Sequence, residues 1–380
     1  MSGDGKAQNP GASKPRERND WLDVARGYGM FLVFYGHLIE RFAALQLPTA
    51  SVQFKFIYSF HMPLFFLIAG ILARPLPGIV PTFQRGMLTR ILPAVVFNLL
   101  VVPIWLSPSP LATSPHGQNI GANLMLLFQG RSTLNFLTWF LFCLFVVDLL
   151  HVALRRVIRR DVFVFASIIA LFVFGQALTR NLGPVVRLTG VPANFWMVHE
   201  AVLALAFHQV GYLLRRRGLL EWRPSPMLLV LLCGWSWIGV AFTFGLNHGP
   251  FRTTSQVVVM ALSSHGHFIY FPLTALLGCV GIATLSMLTQ RFAAARWVGQ
   301  RTLVFLGLNG FFFALNFYLL RPIVSMMPGP GVAQIAVITA LTLLSMAVTA
   351  PVCVALLRWF PQLFGRPDAK GPILPALASR

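Results

Sequence analysis

The apolar residues of this chain come in runs near twenty, separated by short basic or Pro/Gly-rich stretches. A run of that length is what a helix needs to cross a hydrocarbon core about 30 Å thick. The chain has 380 residues, 56% of them hydrophobic and only 11% charged. One soluble core could not hide that much apolar surface. The pattern predicts an all-α, polytopic membrane protein embedded in a lipid bilayer, with about ten spans. They fall near 21–42, 56–74, 90–107, 134–154, 161–179, 195–214, 227–246, 267–289, 302–321 and 333–358. The stretch 248–266 contains VVVMALSS, too short to span, and reads as a loop or an interfacial piece.

The formal charge is +20. The basic residues sit at the ends of apolar runs, so they orient the chain in a membrane rather than forming a solvated face for nucleic acid. With ten spans, 22 of the thirty Lys and Arg fall in loops on the N-terminal side and seven on the other. That asymmetry predicts both termini on the cytosolic side. Residues 1–19 are polar, rich in Gly, Pro and Lys, and lack the apolar core of a signal peptide; they read as a disordered cytosolic tail. Residues 20–360 form the membrane domain, and 361–380 a cytosolic C-terminal tail. Cys143, Cys233, Cys279 and Cys353 all lie in apolar runs without metal-ligand spacing, so neither disulfide nor metal is expected.

Ionisable residues inside the runs mark the places where function outweighs cost. Arg26 and His37 are eleven residues apart in WLDVARGYGMFLVFYGHLIERF. On a helix that is three turns plus roughly 20°, so both lie on one face, about 16 Å apart along the axis. Asp23, Arg26, Met30, Val33, His37 and Glu40 form one stripe. Asp23 can pair with Arg26, and Glu40 can hold the His37 imidazole in one tautomer. In FIYSFHMPLFFLIAG, Pro63 predicts a kink beside His61. Arg85 and Arg90 suit bidentate phosphate contacts, though either also serves as a membrane anchor. Trp139 is either interfacial or a pocket wall, and Asp148 can pair with Arg155 or Arg156. His199 and Glu200 point about 100° apart, so one of them faces any given cavity. His265 and His267 lack the carboxylate support of a metal site. There is no phosphate-binding Gly-rich motif, no nucleophile elbow, and no clear two-fold hydropathy repeat of a secondary transporter.

Two of these segments together resemble the acyltransferase-3 family of integral membrane acyltransferases. One is the first-helix segment with Arg26, ten intervening residues and His37; the other is YSFHMPLFFLIAG, Tyr58 to Gly70. RILP at Arg90–Pro93, LTWFLFCLF at Leu137–Phe145 and GQRTLVFLGLN at Gly299–Asn309 fit more loosely. Two positions depart from the family pattern: Ala69 stands where Ser is frequent, and Asn309 where many members have His. The resemblance implies an enzyme of a bacterial inner membrane that moves an acyl group, acetyl first, from cytosolic acyl-CoA to a hydroxyl of a lipid-linked or exported carbohydrate. In that reading His37 is the base, Arg26 meets the donor, and Glu40 orients the imidazole. Arg85 and Arg90 join Arg26 in binding acyl-CoA. Asp23, His61, Trp139 and Asn309 line the pocket. A transporter of acyl, lipid or glycan precursors would use the same stripe as a path and make no covalent product.

The charge asymmetry sets a direct check on topology. Reporter fusions at residues 157 and 217 should report cytosol, and fusions near 120 and 250 the opposite side. A cytosolic signal near 120 would break the ten-span arrangement.

Overall fold

A computed structural model of the protein describes residues 19–44, 48–73, 78–106, 119–311 and 331–378. Residues 1–18 of the expected N-terminal tail (1–19) and residues 312–321 of the ninth span lie outside the described residues. The described residues are mostly helical, with one isolated β-bridge between Val259 and Ser264. The helices are α1 (Asp20–Ala44), α2 (Pro48–Tyr58), α3 (His61–Leu72), α4 (Ile79–Gly86), α5 (Leu92–Leu106), α6 (Ile120–Phe128), α7 (Trp139–Val157) and α8 (Asp161–Arg180). Then come α9 (Leu182–Thr189), α10 (Val198–Arg216), α11 (Pro226–Thr243), α12 (Tyr270–Leu288), α13 (Ala293–Gly299), α14 (Thr302–Phe311) and α15 (Val332–Trp359). Eight helical stretches among the described residues are long and apolar enough to cross a membrane, and each overlaps one of the ten predicted spans. The other two are α1, which is long but carries more charge, and α14, which opens the ninth span. The protein is a polytopic, all-α membrane protein.

Helix α1 runs through the interior and packs against α2, α3, α12, α13 and α15. Its central place explains why a helix with ionisable groups on one stripe is stable at all: neighbours, not lipid, surround them. Helices α8, α11 and α15 form the outer wall. They expose Phe163, Phe165, Phe174, Trp235, Phe242, Leu343 and Leu344, a surface that suits lipid and not water.

Two helix crossings are backbone against backbone. A Cβ on Gly70 of α3 would lie 1.9 Å from the His208 carbonyl oxygen of α10, and one on Gly211 would lie 1.9 Å from that of Leu67. On the other side, a Cβ on Gly27 of α1 would lie 2.0 Å from the Ala295 carbonyl oxygen, and one on Gly299 1.7 Å from that of Asp23. Membrane helices have little hydrophobic drive to associate, so such close contact of small residues is a main source of attraction between them.

Three local breaks set up the interior. The second span stops at Ser59 and restarts at His61, because Pro63 has no N–H to give the Ser59 carbonyl. The third span contains a π-turn, Met87–Ile91, which carries Arg90; one wide turn rotates the following helix and often marks a functional site. Before α7, Asn98 donates to Thr138 Oγ1 at 2.7 Å and accepts from the Asn135 N–H at 2.9 Å, while Asn135 donates to the Gly307 carbonyl at 2.9 Å. This buried network fixes the short 3₁₀ turn Phe136–Thr138 and therefore where Trp139 begins α7. After Trp359 the chain does not leave the bundle at once. Pro361, Gln362 and Phe364 are buried, and the Phe364 ring lies 5.1 Å from that of Phe97.

The α1–α13 crossing yields a stability prediction. Gly27→Ala places a methyl group where a backbone oxygen sits, and overpacking of this kind typically costs about 1–3 kcal/mol. Gly234→Ala meets nothing within 4 Å and should leave the melting temperature in detergent unchanged or raised. Equal melting temperatures for wild type and Gly27→Ala would show that the crossing is slack.

Candidate functional site

Two cavities open from opposite ends of α1. The first, about 740 Å³, begins at Asn19, Asp23 and Arg26 and takes in Arg85, Arg90, Asp148, His151, Arg215 and Gly365. The second, about 530 Å³, is lined by His37, Glu40, Tyr58, His61, Trp139 and the loop segments 253–255 and 258–262. Met62 lines both. The residues that share one stripe in sequence are thus divided between two chambers, Arg26 in one and His37 in the other.

The first chamber is basic. Arg26 pairs with Asp23, which also accepts from Gln300 Nε2 at 3.2 Å. Arg296 of α13 pairs with Asp20 at 2.6 Å. These bonds, with the Gly27 and Gly299 contacts, hold the first turns of α1 on α13. Asp23 is buried, and Arg26 is a quarter exposed, with its Nε lacking a hydrogen-bond partner among the described residues. Asp148 pairs with Arg90 at 3.7 Å, not with Arg155 or Arg156, because the π-turn brings Arg90 round to α7. Arg85 is exposed at the rim. Arg215 donates to the Ala73 and Ile71 carbonyls at 2.5 and 3.2 Å, closing the C-terminal turn of α3. The deeper walls are apolar: Met30, Val33, Phe65, Phe140, Leu144 and Leu306.

The second chamber holds a triangle of polar groups. His37 Nδ1 lies 3.4 Å from Glu40 Oε2. The Tyr58 hydroxyl lies 3.2 Å from the same nitrogen and 3.4 Å from the same carboxylate oxygen. Both partners address Nδ1, which fixes the orientation of the ring. His61 donates through Nδ1 to the Ile57 carbonyl at 3.0 Å; a carbonyl only accepts, so the lone pair is on Nε2. Trp139 is buried and is a pocket wall, not an interfacial residue. Asn309 is buried on α14 and lines neither chamber.

The loop after α11 is the part of the site that sequence reasoning misses. It neither spans nor floats. Thr253, Thr254 and Ser255 face the second chamber, and Val257 and Val258 are buried. Its foot is held by a buried pair: His265 Nε2 lies 3.1 Å from both carboxylate oxygens of Glu200. Asn247 donates to the His265 carbonyl at 3.1 Å and accepts the His267 N–H at 2.6 Å. Arg180 donates to the Gly266 carbonyl at 2.7 Å, and Arg252 to that of Thr179. The histidines in SSHGHF are therefore loop anchors. No group of three or more His, Cys, Asp or Glu among the described residues could hold a metal ion. Tyr58 also escapes sequence reasoning as a site residue, although it opens the second motif and stands three residues before His61. A hydroxyl inside an apolar run is its only local signal.

A family model described as an acyltransferase domain matches residues 19–357, almost the whole of the chain. No curated protein and no solved structure matches it.

Proposed function

The chain belongs to the acyltransferase-3 family, and we propose that it moves a short acyl group, acetyl first, from cytosolic acyl-CoA to a hydroxyl of a cell-surface or exported carbohydrate. The observation that carries this reading is the division of the α1 stripe between a basic chamber and a chamber built around His37. The basic asymmetry of the loops argues that the first chamber opens to the cytosol. There Arg26, Arg85 and Arg90 suit the phosphates of a nucleotide thioester. The apolar depth of the chamber suits its acyl end and keeps water from hydrolysing it. The second chamber opens at the other end, where a bacterial inner-membrane enzyme would meet a lipid-linked or exported glycan. Its hydroxyl-bearing loop and the Trp139 ring suit a sugar acceptor.

In this mechanism the His37 imidazole takes the proton of the acceptor hydroxyl as the oxygen attacks the thioester carbonyl. The new C–O bond forms, the C–S bond breaks, and the imidazolium returns the proton to the departing thiolate. No net proton is gained or lost. Glu40 and Tyr58 hold Nδ1, so the imidazolium that forms is matched by a carboxylate. Asp23 holds Arg26 rather than touching the donor itself.

The test uses membranes matched for protein level, incubated with radiolabelled acetyl-CoA, with label followed into the glycan fraction. His37→Gln keeps a hydrogen bond but cannot titrate, and transfer should fall about 10²- to 10⁴-fold. Tyr58→Phe should fall less, because the carboxylate contact remains. Arg26→Lys should weaken donor use, since removing one charged hydrogen bond costs about 1.5–3 kcal/mol and an ammonium does not reproduce the fork. Full turnover by His37→Gln would remove it as the base. Label that crosses the membrane without entering any covalent product would favour the transporter.

A further inference from the structure

Among the described residues, the two chambers have one lining residue in common, Met62, at the second position of α3. It is 9% exposed. Met62 packs in one buried apolar cluster with Met30, Val33, Phe65, Phe140 and Trp139; the first four also line the basic chamber, and Trp139 lines the other with His37 and His61. Acyl transfer requires the thioester carbonyl and the acceptor oxygen to meet, and a donor held in one chamber meets an acceptor held in the other only at this boundary. The carbonyl carbon then stands at the junction, and whatever chain hangs from it has to fit among the same side chains. Among the described residues, no Lys or Arg belongs to this part of the wall; Arg26 sits about 16 Å along α1 from His37.

We infer that Met62 is the specificity-determining residue for the acyl group, closing the junction around a short, uncharged chain and turning away longer or carboxylate-bearing ones. The inference rests on the donor reading above and deepens it. Methionine suits such a position because it is unbranched and adaptable, and it fills an irregular gap without leaving a void. Truncation to alanine removes the γ-methylene, the sulfur and the ε-methyl, about the length of the chain that distinguishes a butyryl from an acetyl group. A methylene gained or lost in an apolar pocket is worth about 10- to 200-fold in discrimination. A succinyl carboxylate would have to shed water with no guanidinium or ammonium beside it.

The experiment measures kcat/KM of the purified full chain for acetyl-, butyryl- and succinyl-CoA with one acceptor glycan. Three proteins are compared: wild type, Met62→Ala and Val33→Ala, the last widening the opposite wall should the first fail to fold. Wild type should prefer acetyl over butyryl by about 10-fold or more, with succinyl the poorest. Either variant should lower the acetyl-to-butyryl ratio about 10-fold while succinyl stays poor. An unchanged ratio in a folded variant that still transfers acetyl would overturn the role of Met62 and leave the donor reading standing. Efficient succinyl transfer by wild type would overturn the uncharged junction. Absence of transfer from every thioester would overturn both the donor reading and this inference.

Discussion

The seam between α1 and α13 is the contact on which the site depends. At Gly27 and Gly299 there is no room for a single methyl group, so the two helices meet with their backbones. That closeness brings Arg296 to Asp20 and Gln300 to Asp23, and Asp23 in turn to Arg26. A guanidinium inside an apolar bundle is tolerable only when its surroundings are fixed. The glycines do the fixing at the level of main chain, and the polar bonds follow from it.

Much of this is legible in the sequence because helical periodicity is a strong signal. The stripe from Asp23 to Glu40 can be placed on one face from spacing alone, and a buried central helix is the natural home for it. The division of that stripe cannot be read. Arg26 and His37 share a face, yet the groups gathered around them come from several elements: Gln300 reaches Asp23, Tyr58 of α2 reaches His37, and the 253–262 loop lines the same chamber as His37. Those approaches are set by tertiary packing, which leaves no periodic trace. Arg90 illustrates the same limit. Local spacing pairs Asp148 with Arg155 or Arg156, and a π-turn in another helix overrides it. The loop after α11 reads as peripheral because it is too short to span. Its anchoring bonds, Glu200 to His265 above all, join residues 65 positions apart. Asn309, singled out by its place in a motif, lines neither chamber.

The second span shows how one residue serves both architecture and chemistry. Pro63 withholds a hydrogen bond, the helix restarts, and His61 turns its Nδ1 to the Ile57 carbonyl. Tyr58, on the near side of the break, reaches across to His37 and Glu40. Three residues apart, Tyr58 and His61 would share a face even on a continuous helix. They keep that relation across the break, in one chamber with their rings 4.5 Å apart.

Two vestibules that meet at a methionine also bear on the bilayer as an electrical insulator. Moving one elementary charge across a membrane potential is worth about 2.3 kcal/mol per 100 mV, and any water-filled passage would let ions discharge it. Here the two ends of α1 are polar, and the stretch between them is Met30, Val33 and Phe65 against Met62 and Phe140. In the proposed transfer, chemistry would be handed from one face to the other through a few apolar atoms while current would not. Such an architecture would join two aqueous compartments by a reaction and keep them separate as conductors.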